Sequence, residues 1–431
     1  MIEIIRSQEK ERLAARLQAI RDRNVAFDDA LMTEVAAIIA EVRTRGDAAL
    51  IDYTARFDGV QLRASELRVP EDTLQRSGQN VDPFVLDSLR EAIQNVRVFH
   101  EHQKEESWEF TPSEGVTLGQ RITPIERAGL YVPGGTAAYP SSVVMNVVPA
   151  QVAGVRRIMV TTPPRTLAEN PVVAAALVEL NITEVYAVGG AQAIAALAYG
   201  TETVPRVDKI TGPGNKFVAA AKKLVFGAVG IDSIAGPSEV VIIADESARP
   251  DFVAADLLAQ AEHAEDASAL LLTTSEELAN RTLTELTRQA SSLRRRDIFE
   301  QSLAQFGAIV LVADLNEACE LANELAPEHL ELMTKNDEGC AAKIHEAGAI
   351  FFGAHTPEAV GDYLAGPNHV LPTGRAARFS SALGVYDFVK RTSLLRYSSE
   401  AIKHSAGRIA ALAAVEGLDA HARSAMIRLE Q

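Results

Sequence analysis

The spacing of apolar residues along this chain changes three times. Through the first hundred or so residues they recur at helical intervals. Asp28 is placed to cap a helix through Val42 that stops near Gly46, and Asp82-Pro83 opens another whose Leu86, Leu89, Ile93 and Val96 share one face. Between Trp108 and Val132 the pattern shortens to β-like runs, broken by turns at Pro112-Ser113-Glu114-Gly115 and Arg127-Ala128-Gly129. From Gly129 to about Gly236, strand candidates (Leu130 to Val132, Ile158 to Thr161, Val185 to Val188) alternate with helical segments (Ser142 to Val152, Val172 to Leu180, Ala191 to Tyr199, Asn215 to Val225). A second alternating run uses Val240 to Ile243, Ala269 to Thr273, Ile309 to Val312 and Ile350 to Phe352. After Leu371-Pro372-Thr373-Gly374 come a short strand from Gly384 to Val389 and helices to the end.

Strands alternating with helices predict parallel sheets with crossover helices on their faces. Two such runs predict an α/β protein with two incomplete Rossmann-like domains, any ligand lying between them or at strand C-terminal ends. The boundaries expected are 1–128 with 239–381 for a first α/β domain that has a helical N-terminal part, 129–238 for a second, and 382–431 for a mostly helical C-terminal extension. That tail of about fifty residues is too small to build a good core alone, so it should pack on its own subunit or a neighbour.

Composition narrows the partners. The 431 residues are 47% apolar, and 58 acidic against 42 basic residues give a net charge of −16, which disfavours phosphate backbones and anionic lipid. Small molecules are the expected ligands. The opening MIEIIRSQEKERLAARLQ is charged and helical in pattern without a secretory apolar core, and no apolar run reaches membrane-spanning length, so a cytoplasmic location is expected. Cys319 and Cys340 fall in line with apolar neighbours on helical patterns and read as core, not as a thiolate metal site or nucleophile.

The stretch from Ile231 to His263 organises the rest. A turn at Ala235-Gly236-Pro237-Ser238 leads into Val240-Val241-Ile242-Ile243. Pro250-Asp251 then starts a helix whose last turn should carry Gln260 and His263. Residues three apart share a helix face, so this pair is either a solvated face or half a metal site. Glycine turns at Tyr131-Val132-Pro133-Gly134-Gly135, Val188-Gly189-Gly190-Ala191-Gln192 and Thr211-Gly212-Pro213-Gly214-Asn215 read as ordinary α/β turns or as anion cradles. The last two precede helices, and none is a GxGxxG. Glu328 and His329 could serve one pocket only where the backbone bends, as Pro327 allows; otherwise they are a loop acid beside a partly buried histidine. Asp362 and His369 lie in a Gly/Pro-punctuated segment, and spacing alone would leave Glu416 and His421 as exposed helix-end residues.

The GPSE turn, buried strand, helix and QAEH together resemble the signature segment of the histidinol dehydrogenase family, and the resemblance extends along most of the chain. It implies NAD, with Tyr131, Gln192 and Asn215 as contacts, and one Zn²⁺ per subunit on Gln260, His263, Asp362 and His421. It further implies Glu328 and His329 as acid/base residues, and substrate contacts from Ser238, Gln260, His263, His329, Asp362, Glu416 and His421, with His369 in the substrate region. The implied activity is oxidation of L-histidinol through L-histidinal to L-histidine, in a homodimer with shared sites. One rival is a related NAD/zinc dehydrogenase for another primary alcohol, such as a small sulfonate. An anionic substrate of that kind would favour added Arg or Lys. A second rival, a non-catalytic two-domain solute-binding protein, would want an export signal.

Overall fold

The computed structural model describes residues 2–23, 27–134 and 139–430. Its strands are β1 (Glu3–Arg6), β2 (Trp108–Ser113), β3 (Val116–Pro124), β4 (Arg127–Tyr131), β5 (Arg157–Thr162), β6 (Glu184–Ala187) and β7 (Lys209–Thr211). The remainder are β8 (Gly230–Ile231), β9 (Glu239–Ala244), β10 (Ser268–Thr273), β11 (Ala308–Leu311), β12 (His329–Met333), β13 (Ala349–Phe352) and β14 (Val389–Tyr397). They form a six-stranded parallel sheet in the order β1-β11-β10-β9-β12-β13, a five-stranded parallel sheet β6-β5-β4-β7-β8, and a three-stranded antiparallel sheet β14-β3-β2. The expected α/β architecture with two parallel sheets and a mostly helical tail is what the chain adopts.

Central strands of the parallel sheets are covered on both faces. In β9, Val240, Ile242 and Ala244 belong to one apolar core and Val241 and Ile243 to another, because successive side chains point to opposite sides. The five-stranded sheet divides likewise, with Leu130 and Val160 on one face and Tyr131 and Met159 on the other. Both sheets wind outward from a central pair: β4, β5 and β6 run one way with β7 and β8 the other, and β9, β10 and β11 run one way with β12 and β13 the other. Each therefore has a switch point where a crevice opens.

Three expectations are corrected. The N-terminal segment opens with a strand, β1, whose four residues pair in register with β11, before the expected helix at Lys10–Asp22. The strand expected over Gly384–Val389 is a turn of 3₁₀ helix, Val385–Phe388, held by Asp387 accepting from the Gly384 N–H at 3.0 Å; the strand follows as β14. The helix Pro250–Ala261 ends before His263, whose N–H donates to Gln260 O at 3.2 Å in a turn beyond the helix.

The tail folds back through β14, which pairs along nine residues of β3. Its helix Ser399–Val415 leaves Leu412 70% and Val415 88% exposed, an apolar face that nothing in its own chain covers among the described residues. Cys319 and Cys340 are buried, and burial pushes the Cys319 thiol up to about 11, so it packs and does not react. Among the described residues no helix is long and apolar enough to cross a membrane.

Candidate active site and cofactor crevice

On the six-stranded sheet the polar side chains gather at the N-terminal ends of the strands, whereas the ligand was expected between the two sheets or at strand C-terminal ends. Glu239 opens β9 and His329 opens β12, where His329 is in register with Val240. Ala326, at φ +47, and Pro327 bend the chain just ahead of β12, and both Glu328 and His329 turn inward, 7% and 4% exposed. The crossover helix Pro250–Ala261 runs back against the strands, so its C-terminal end brings Gln260 and then His263 to the same edge. The short helix Glu358–Tyr363 supplies Glu358 and Asp362 from one face, four residues apart.

Hydrogen bonding fixes how the imidazoles present themselves. His329 Nδ1 lies 3.1 Å from Glu239 O, so it carries the proton and donates. Its Nε2 is then a bare lone pair, buried without a hydrogen-bond partner and 4.0 Å from Asp362 Oδ1. His263 repeats the arrangement: Nδ1 donates to Ala259 O at 3.0 Å, leaving Nε2 4.0 Å from Asp362 Oδ2. A donating Nδ1 with a free Nε2 is the form in which histidine binds metal or accepts a proton. Ligand atoms of His263, Glu358 and Asp362 all lie within 4.8 Å of one another, close enough to share a cation.

Gln260 is fully buried. With its amide nitrogen toward Glu358, it donates to Oε2 at 3.1 Å, to Oε1 at 3.2 Å and to Glu239 O at 3.3 Å, which turns its oxygen to the other side. Glu358 also stands 3.7 Å from His329 Nδ1, and its backbone N–H donates to Glu331 Oε1 at 2.8 Å. Sequence reasoning missed Glu358; its spacing from Asp362 on one helical turn was the available signal.

Burial shapes the acidities. It pushes the Glu328 carboxyl well above the usual carboxylate range, with Glu239 and Asp362 adding repulsion, while the Glu239 N–H at 3.0 Å and the Ser238 hydroxyl pull back. Burial also lifts Glu239 to about 6 despite Arg23 Nη2 at 2.8 Å, raises Glu358, and holds His329 down to about 4. A crowd of buried acids facing the neutral imidazole of His329 suits a cation. Glu416 and His421 do not join this cluster within their own chain; both are exposed on the tail, beyond the uncovered helix face.

The five-stranded sheet places its polar groups at the opposite edge. Tyr131 ends β4, and its hydroxyl accepts the Gly190 N–H at 3.1 Å. Gly212, after β7, sits at φ +112, where an added Cβ would come within 2.1 Å of Tyr131 O. Lys222 Nζ donates to Gly212 O at 3.1 Å, Asp232 accepts the Gly212 N–H at 2.8 Å, and Lys222 and Asp232 pair with each other, so both polar groups of that peptide are held. Asn215 caps the helix Lys216–Val225 by accepting from Phe217 N and Val218 N at 3.0 and 3.2 Å. Gln192, in the first turn of Gly190–Tyr199, is 1% exposed and its Oε1 has no partner. Gly135, of the first glycine turn, lies outside the described residues.

Glycine-rich turns at the switch point of one parallel sheet and a cluster of imidazoles and acids on the other give the chain the layout of an α/β enzyme. The histidinol dehydrogenase family model matches residues 21–429, and the chain belongs to that family. It is 56% identical over 398 residues to a histidinol dehydrogenase of Geobacillus kaustophilus, covering 92% of this chain and 93% of that one. To one of Aquifex aeolicus it is 50% identical over 421 residues, 98% of each. The crystal structure of histidinol dehydrogenase from Elizabethkingia anophelis superposes with a TM-score of 0.92 at 36% identity, over 100% of this chain and 98% of that one.

Proposed function

We propose that this chain, in the cytoplasm, oxidises L-histidinol to L-histidine through L-histidinal, using two NAD⁺ and one Zn²⁺ per subunit in a homodimer whose copies share their sites. The observation that carries the reading is that Asp362 faces the Nε2 atoms of both His329 and His263, at 4.0 Å each, and that the Nε2 of His329 is buried without a hydrogen-bond partner.

The donor set fits the metal. Imidazole, carboxylate and amide oxygen suit a borderline divalent ion, and His263 and Asp362 already sit together while Gln260 has its oxygen turned away from Glu358. The fourth expected ligand, His421, lies on the exposed tail, so a second copy would supply it along with Glu416. The unpartnered Gln192 Oε1, Tyr131 and the capped helix start at Asn215 fit a dinucleotide. When bound, zinc would supply charge that fixes the substrate's nitrogens and NAD would accept hydride.

The chain's own residues handle protons and position. His329 Nε2, kept neutral by burial, takes the hydroxyl proton as the carbinol carbon loses hydride to give the aldehyde. Glu328, beside it at 3.7 Å from Nδ1, activates the water that adds, the Ser238 hydroxyl and Glu239 N–H offsetting part of the burial that otherwise favours its neutral form. His329 passes the first proton to solvent and then accepts another as the hydrate loses a second hydride. No thiol takes part. Proposed domains follow the sheets: 1–128 with 239–381 carries the metal and acid/base residues, 129–238 the dinucleotide, and 382–431 the dimer contact.

Arg23, the basic residue paired with this cluster, is committed to Glu239 at 2.8 Å, which disfavours its recruitment by an anionic sulfonate. The test is NADH production from histidinol, lost on chelation and recovered with Zn²⁺. A chain that forms NADH only from another alcohol, or binds ligand without forming any, does not have this function.

A further inference from the structure

The helix Pro140–Ala153 carries Pro149 in its interior, and proline has no N–H to close the bond that residue 149 would otherwise make to the carbonyl of Met145. That carbonyl belongs to a residue only 1% exposed. The side chain of Asn368, itself buried, fills the gap: Nδ2 donates to Met145 O at 2.6 Å. The same nitrogen lies 3.4 Å from Nε2 of the fully buried His100, whose Nδ1–H donates to Val96 O at 2.7 Å, so the second amide proton has an acceptor too. Asn368 Oδ1 accepts the Val370 N–H at 2.9 Å. One amide thus holds two helices and its own loop.

Between Asn368 and Val370 stands His369. Its Nε2 is buried without a hydrogen-bond partner, and Asp362 and His263 lie near enough for their charges to act on it. The clamp therefore grips the peptide on either side of an imidazole aimed at the cluster. A loop punctuated by Gly366 and Pro367 has little regular structure to hold it, so side-chain bonds of this kind decide where it sits.

We propose that Asn368 is a positioning residue, which fills the acceptor left open by Pro149 and so fixes the loop that presents His369 to the substrate. The inference rests on the reading of the His263–Asp362 cluster as the histidinol site. It also ties that loop to the helix that follows β4, so the substrate side and the cofactor side are registered through one amide.

The test uses Asn368→Ala, Pro149→Ala and the double variant, each assayed for NADH from histidinol and for its denaturation midpoint. Asn368→Ala should lower the midpoint and cut kcat by about tenfold, with KM changed less. Adding Pro149→Ala gives Met145 O a donor within its own helix, so the midpoint should recover while kcat stays low. Recovery of kcat along with the midpoint, or a kcat for Asn368→Ala within about twofold of wild type, would assign the residue to stability alone and overturn the proposal. Midpoint changes that simply add overturn it as well, since Asn368 would not be answering Pro149. A wild-type chain that forms no NADH from histidinol sinks the functional reading instead, and the midpoint cycle, which needs no substrate, then decides the clamp separately.

Discussion

The two parallel sheets put their polar chemistry at opposite ends of their strands. On β4 to β8 it lies past the C-terminal ends, where the helices Gly190–Tyr199 and Lys216–Val225 begin and their dipoles favour an anion. On β9 to β13 it lies at the N-terminal ends, where the helix Pro250–Ala261 finishes and its last carbonyls favour a cation. Crossover helices run against the strands they connect, so each sheet has one edge of either sign. The same layout can thus hold a pyrophosphate or a metal, depending on which edge is furnished with side chains. One edge here is built mainly from backbone, glycine and neutral groups, the other from buried acids and imidazoles.

Breaking the cation edge should cost most. His263→Ala removes a bare Nε2 and should abolish zinc retention in metal analysis, with turnover down about 10³-fold, the effect of losing several kcal/mol of charge stabilisation. Full zinc content in that variant would mean that the ion is held elsewhere. His329→Ala should leave zinc and histidinol binding in place and lower turnover about 10²-fold or more. Mixing it with His421→Ala chains should restore part of the activity, because one hybrid site would then be whole; a dead mixture of proven hybrid dimers assigns each site to one chain.

The anion edge should fail differently. Gly212→Ala puts a Cβ within 2.1 Å of Tyr131 O at a φ of +112, which costs about 1–3 kcal/mol and displaces the turn between Tyr131 and Asn215. We expect KM for NAD to rise about tenfold with KM for histidinol little changed. Equal rises in both constants would show that the two edges are not separate sites.

How much of this could be read beforehand follows from burial. Runs such as Val240 to Ile243 and Ala269 to Thr273 were legible because strands covered on both faces are continuously apolar. β1 was not, since four residues at a sheet edge leave too short a pattern. Gln260 and His263 were expected on one helix face, but the helix ends at Ala261 and His263 follows in a turn. Glu239 and Glu331 passed unnoticed because a buried acid is recognisable only by neighbours from distant segments, and Glu358 had only its one-turn spacing from Asp362 to mark it. Glu416 and His421 read as exposed tail residues from their spacing, and in this chain that is where they are.

The smallest effect concerns the acids behind the cation edge. Glu331 and Asp256 are both buried, and each acts on the other's acidity; burial raises Asp256 to about 6 and Glu331 well above its usual range. Unfolded, each would titrate near 4, so the folded chain binds protons more tightly. Stability from this pair is therefore complete below that value and is lost as pH rises through about 6 and beyond. The metal-free chain should accordingly unfold more easily at pH 8 than at pH 5. Glu331→Gln keeps an oxygen for the Glu358 N–H and supplies a permanent donor to Asp256, which removes the need for a shared proton. The variant should be more stable than wild type by about 1 kcal/mol at pH 8 and by less at pH 5. The loss from Gly212→Ala should show no such dependence, its surroundings being an ion pair and peptide groups. If Glu331→Gln leaves the pH profile of the denaturation midpoint unchanged, this acid pair is not what sets the two edges apart.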